Sequence, residues 1–258
     1  MLQKMRLLLV LNISLILSTI LMQRLLPILF LVLQAVQAQE LIVAAAADLA
    51  PLEKKLTEAF LRDTRLRVRF SLGSSGMLAR QIANGAPFDA YLSANEGFVQ
   101  ELTATGHLDP ATVRNYATGR LGIWSANGKV KTIKDLYALR SLAIANPKHA
   151  PYGMAAEQFL RSHGSFGQIE SRLVLAENVR QAYEFARTGN ADAVITSWTM
   201  LHDKGGILLP DSGHKPIRQS GGVVKGSKNQ AAARRFIDFL TGPKGQAILQ
   251  AGGLFPPR

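Results

Sequence analysis

One pattern recurs from Leu41 onward and constrains everything else: a short apolar run, a loop of small residues, then an amphipathic helix. Residues 41–46 (Leu-Ile-Val-Ala-Ala-Ala) are apolar at every position, as a strand buried on both faces requires. Asp48 then stands where a helix cap is expected, and Pro51 suits a first helical turn. Leu52, Leu56, Ala59 and Phe60 fall on one helical face behind it. The pattern predicts further strands over 66–72 and 88–93, a small-residue turn at Gly73-Ser74-Ser75-Gly76, and helices over 77–84 and 96–105. Beyond these, strands are expected at 121–124, 141–145, 173–175, 192–196 and 217–224. Helices are expected at 154–163, 178–188, 229–240 and 244–250, with 146–153 as a loop. Strands alternating with helices over this length predict an α/β protein with mainly parallel sheets.

Four of the strand-to-helix loops are built from small residues: Ala46-Ala47-Asp48, Gly73-Ser74-Ser75-Gly76, Pro151-Tyr152-Gly153 and Glu177-Asn178-Val179. The first turn of a helix leaves backbone N–H groups unpaired and carries partial positive charge, so each such loop is a ready anion site. In an open α/β sheet these loops gather at the carboxyl ends of the strands, where ligands bind. One Gly-Ser-Ser-Gly alone is more often only a flexible turn.

The first 38 residues are of a different kind. They hold no Asp or Glu, only Lys4, Arg6 and Arg24 as charges, an apolar core from Leu25 to Leu33, and Val36 and Ala38 at small-residue cleavage positions. That composition reads as a secretory signal over 1–38, cleaved after Ala38. Met22-Gln23-Arg24 followed by Leu25 makes a complete shorter signal, so either translation starts at Met22 or two apolar runs are fused here. A retained anchor is the competing reading of Met5 to Met22.

The 30 basic and 18 acidic side chains give a net charge of +12, or +9 without the first 38 residues. The basic residues are scattered singly or in pairs such as Lys54-Lys55 and Arg234-Arg235, without a long tract or interleaved aromatics. This describes a solvated basic surface that draws in anions, not a nucleic-acid binder. The chain has no cysteine, and His107, His149, His163, His202 and His214 lie at no metal-ligand spacing. Ser75 has no recognisable base partner and no Gly-x-Ser-x-Gly elbow surrounds it, which weakens a secreted hydrolase reading. Trp124 and Trp198 are expected to pack in the core or at a hinge.

Five segments, in order and spacing, resemble the periplasmic molybdate-binding proteins of ABC importers. They are Ala44-Ala45-Ala46-Ala47-Asp48-Leu49; the run from Gly73 through Arg80-Gln81-Ile82 to Asn84-Gly85-Ala86-Pro87; Ser93-Ala94-Asn95; Ala145 through Tyr152-Gly153; and Ala176-Glu177-Asn178-Val179-Arg180-Gln181-Ala182. The resemblance covers about residue 41 to the C-terminus. It implies a two-lobed type II periplasmic binding protein fold, with lobe 1 made of 39–119 and 218–258, lobe 2 of 120–217, and a ligand cleft between them. It implies no enzyme activity and no cofactor, but a monomeric periplasmic receptor. Such a receptor captures molybdate or tungstate and delivers it to a membrane permease.

Carried over by position, the ligand-binding residues are Ala47, Asp48, Ser75, Tyr152 and Val179, which act through backbone amides and the Ser75 hydroxyl. Ser197 lies near the place where some members use a Tyr hydroxyl. The first loop departs from the pattern, because members commonly have Ser, Thr or Asn where this chain has Ala47-Asp48. A carboxylate close to a dianion is repelled by about 4 kcal/mol at an effective dielectric of 20. Asp48 is expected to turn away and cap its helix. A protonated Asp48, or a ligand that brings its own proton as hydrogen phosphate does, are the other readings. The last of these keeps phosphate, sulfate or another small oxyanion open as the solute.

Overall fold

The computed structural model describes residues 40–128 and 130–258. The expected secretory signal over 1–38, with its second start at Met22, lies outside them. In chain order the described residues form β1 (Glu40–Ala46), α1 (Glu53–Thr64), β2 (Arg67–Gly73), α2 (Ser75–Ala83), β3 (Ala90–Ser93), α3 (Glu96–Ala104), β4 (Arg114–Gly119), β5 (Leu121–Trp124), β6 (Leu142–Ala145), α4 (Pro151–Ser162), α5 (Phe166–Ile169), β7 (Leu173–Ala176), α6 (Val179–Arg187), β8 (Ala193–Ser197), β9 (Ile207–Leu208), β10 (Ile217–Val223), α7 (Gln230–Thr241) and α8 (Pro243–Ala251). Short 3₁₀ turns link several of them.

Two five-stranded sheets result, ordered β2-β1-β3-β10-β4 and β7-β6-β8-β5-β9. In each, three strands run parallel around a central one, β1 in the first and β6 in the second. Antiparallel ladders complete both sheets: β10 pairs with β3 and β4, and β5 pairs with β8 and β9. These ladders come from the segments that carry the chain between sheets. Only Arg120 separates β4 from β5, and β10 brings the chain back to the first sheet. The protein is thus a two-lobed α/β molecule.

The period of two along the central strands sorts their side chains between two helical layers. Leu41, Val43 and Ala45 of β1 pack with Leu56 and Phe60 of α1 and Phe236 and Leu240 of α7, whereas Ala44 faces Leu78, Ile82, Val99 and Leu102 of α2 and α3. The Phe60 and Phe236 rings meet edge-on at 5.1 Å. In the second sheet Leu142 and Ile144 pack with Ala155, Ala156 and Phe159 of α4, and Ala143 packs with Ala182 and Ala186 of α6. Covering both faces leaves the strand ends as the place for polar chemistry.

Two helices begin earlier than periodicity suggests. The Gly73-Ser74-Ser75-Gly76 turn is already the start of α2, with Ser74 as N-cap, and α4 starts at Pro151 rather than 154. Apolar spacing registers a helix only where it packs, and these first turns face the other lobe. Strand β4 was not anticipated. Its sequence, Arg-Asn-Tyr-Ala-Thr-Gly, has no apolar alternation, and it forms at the edge of its sheet by pairing with β10.

Candidate functional site

The carboxyl ends of β1, β2, β6 and β7 each lead, within a few residues, into a helix start, and those starts meet. Ala47, Asp48, Ser75, Tyr152 and Val179 line one hollow of ≈ 10 Å³, together with neighbours such as Ser74, Ala94, Pro151 and Asn178. No Lys, Arg or His is in that lining.

Each helix start offers donors for a local reason. In α2, Ser75 is the first helical residue, so helix geometry gives its amide no carbonyl partner. The Ser75 hydroxyl oxygen accepts from the Ala94 amide at 3.0 Å. Tyr91 donates to the Ser75 carbonyl at 2.8 Å and fixes the turn from behind. In α4, Pro151 occupies the first position and has no N–H, so the first amide of that helix is that of Tyr152. Gly153 follows because a Cβ there would collide with the Ala145 carbonyl at the end of β6. In α6, the Asn178 side chain accepts from the amides of Arg180 and Gln181 at 3.0 and 3.1 Å. That cap consumes the second and third donors and leaves the first, on Val179.

At the first loop the cap expected of Asp48 is not made. Ala46 is the N-cap of a 3₁₀ turn over Ala47–Leu52 that runs into α1, and no side chain caps it. Asp48 therefore falls inside the first turn, fully buried. Tyr152 Oη donates to its Oδ2 at 2.9 Å, and Gln219 Nε2 donates to the same oxygen. Gln219 also donates to Tyr152 Oη at 2.9 Å, closing a triangle between the 3₁₀ turn after β1, α4 and β10. Oδ1 of Asp48 is buried without a hydrogen-bond partner. Burial raises the Asp48 carboxyl to about 6, although donors from Gln219, Tyr152 and its own backbone pull it back. Burial, and then the Asp48 charge, push the Tyr152 phenol well above its ordinary value.

Other bonds tie the two sheets' loops across the hollow. Thr199 donates to the Asp48 carbonyl at 2.7 Å. The Gly76 amide donates to the His149 carbonyl at 3.0 Å, and Ser74 Oγ lies 2.8 Å from His149 Nδ1. Burial and then the Arg80 charge hold His149 below the usual imidazole range, so its ring is neutral at pH 7. Ser197 is buried and bonds Thr199 at 2.8 Å, outside the hollow's lining. The Trp124 ring lies tilted against Tyr183 at 5.3 Å and its Nε1 donates to the Lys204 carbonyl, so it packs on the second lobe's core. Sequence reasoning missed Gln219 and Thr199. Neither has a local signature, whereas Asn178 before a helical run could have been read as an N-cap.

Known proteins carry the same architecture. A family model described as bacterial extracellular solute-binding protein matches residues 41–255. The chain belongs to that family. Its relatives bind solutes and do not catalyse reactions. A molybdate-binding protein of Rhodobacter capsulatus is 34% identical over 222 residues, covering 84% of this chain and 88% of its own length. One from Escherichia coli is 28% identical over 224 residues, covering 82% and 87%. The solved periplasmic molybdate-binding protein of Azotobacter vinelandii superposes with a TM-score of 0.80 at 32% identity, covering 84% of this chain and all of that one.

Proposed function

We propose that this family member is the periplasmic receptor of a molybdate importer, and that Ala47, Asp48, Ser75, Tyr152 and Val179 hold the anion between the two lobes. The observation that supports this most directly is the donor set. Unpaired first-turn amides and the Ser75 hydroxyl converge on one hollow whose lining has no basic side chain. Fixed N–H and O–H dipoles replace hydration without reorganising, and aligned helix ends add favourable potential for a dianion. The molybdate-binding relatives point to the same solute. Tungstate, of the same shape and charge, binds by the same contacts.

In this reading lobe 1 takes 39–119 and 218–258 and lobe 2 takes 120–217. Closure proceeds about the β4–β5 junction and the return into β10. The signal over 1–38 directs export and is removed, and the closed monomer docks on a membrane permease.

Elemental analysis of the natively purified protein tests the solute, with molybdenum or tungsten at near one atom per chain expected. A panel of molybdate, tungstate, sulfate and phosphate in thermal unfolding tests it independently. Sulfate or phosphate as the only stabilising anion would overturn the assignment. That second reading is favoured by a single observation, the buried carboxyl at the first loop.

A further inference from the structure

One residue that lines the hollow, Asp48, carries a group that a receptor for a dianion has no evident use for: a buried carboxyl. Its geometry is specific. Both side-chain donors that reach Asp48, Tyr152 Oη and Gln219 Nε2, converge on Oδ2. Oδ1 is left buried without a partner, on a residue that lines the hollow. An ionised Asp48 would present that bare oxygen's negative charge to an anion. A protonated one would present a hydrogen, and since two donors already fill Oδ2, the proton belongs on Oδ1.

We propose that Asp48 is a proton-bearing ligand of this cleft, so that capture of a fully deprotonated oxyanion takes up one proton from solvent. This rests on the oxyanion reading above. The balance is simple. A solvent proton joins Oδ1, that O–H donates to a ligand oxygen, and no other bond is made or broken. A ligand that already carries a proton needs none from solvent, because its own O–H donates to Oδ1. Asp48 thereby distinguishes ligands by protonation state as well as by size.

The surroundings agree. The carboxyl, raised by burial to about 6, is easily protonated. The groups packed against it are Tyr152 from α4, Gln219 from β10, Thr199 through the Asp48 carbonyl, and the Tyr116 phenol of β4, which is raised by burial and by the Asp48 charge. None of these is a cation at neutral pH. His149 stands on the opposite rim, bonded to Ser74.

Calorimetry of molybdate binding to the mature protein at about pH 8, in two buffers of different ionisation enthalpy, counts the protons. Uptake of about one proton per anion is expected, with affinity falling about tenfold per pH unit above about pH 6.5. D48N places an N–H donor where the Oδ1 proton would be. It should abolish the uptake and bind molybdate about tenfold to a hundredfold more tightly than the wild type at about pH 8. Molybdate binding by the wild type without proton uptake would overturn the inference. So would D48N retaining the wild-type pH profile, which would assign the proton to His149 or another group. If molybdate does not bind but sulfate does, the molybdate reading fails and the proton count made with sulfate decides the role of Asp48. If no tetrahedral oxyanion binds between about pH 5 and about pH 8.5, both fail.

Discussion

Ser75 and Asp48 occupy the same hollow and make opposite demands on it. The Ser75 hydroxyl oxygen accepts from Ala94, and a hydroxyl can donate as well as accept. Ser75→Ala removes a buried donor to a charged partner. Isothermal titration is expected to show molybdate affinity lower by about tenfold to a hundredfold, as loss of a charge-assisted bond of about 1.5–3 kcal/mol requires. Asp48 has a cost independent of any ligand. Its folded value of about 6 lies above the ordinary carboxyl value of 3.8, so between those pH values the native state binds more protons than the unfolded chain. Stability contributed by this group is therefore full below about pH 3.8 and is lost as pH rises through about 6. Asp48→Asn removes that dependence. Denaturant titrations of both forms should diverge across this window until the variant is more stable at pH 7 by up to about 3 kcal/mol. Parallel curves would show that the carboxyl is not perturbed.

At the level of elements, each helix start is specified by a few local residues. Pro151 removes the first N–H of α4, Gly153 lets the helix approach β6, and Asn178 caps α6. Asn178→Ala frees the amides of Arg180 and Gln181 and costs about 1 kcal/mol of stability in chemical denaturation. It should also weaken anion binding several-fold, because the Val179 amide loses its fixed direction. Gly153→Ala places a methyl on the Ala145 carbonyl, so the start of α4 must move. A lower melting temperature together with weaker molybdate binding is expected, since overpacking of this kind typically costs about 1–3 kcal/mol.

For the whole molecule, the bonds across the hollow join residues far apart in the chain: Thr199 to Asp48, Gly76 to His149, Tyr152 to Asp48. They describe a closed cleft that an anion bridging both sides would reinforce. Molybdate at a hundredfold excess over its dissociation constant should stabilise the fold by about 2.7 kcal/mol, raising the melting temperature by roughly 5–10 °C. Small-angle scattering should show a smaller radius of gyration on addition of molybdate. An unchanged radius with tight binding would mean that the closed form already dominates without ligand.

What the sequence determined by itself is everything carried by local period and local chemistry. The apolar runs of β1 and β6, the one-sided helices α1 and α7 and the small-residue loops were legible because strand and helix periods are intrinsic to the backbone. The resemblance of five segments to the molybdate-binding proteins implied Ala47, Asp48, Ser75, Tyr152 and Val179 as a set, and these residues line one hollow. Tertiary structure decided what depends on partners distant in sequence. Strand β4 exists because β10 pairs with it, not because its own residues favour a strand. Asp48 abandons the cap that its position suggested because Tyr152, 104 residues away, and Gln219, 171 away, supply hydrogens to its carboxylate inside the protein. A local pattern carries no record of such neighbours. The charge state of the Asp48 carboxyl was thus set by folding, through burial and the contacts that burial brings.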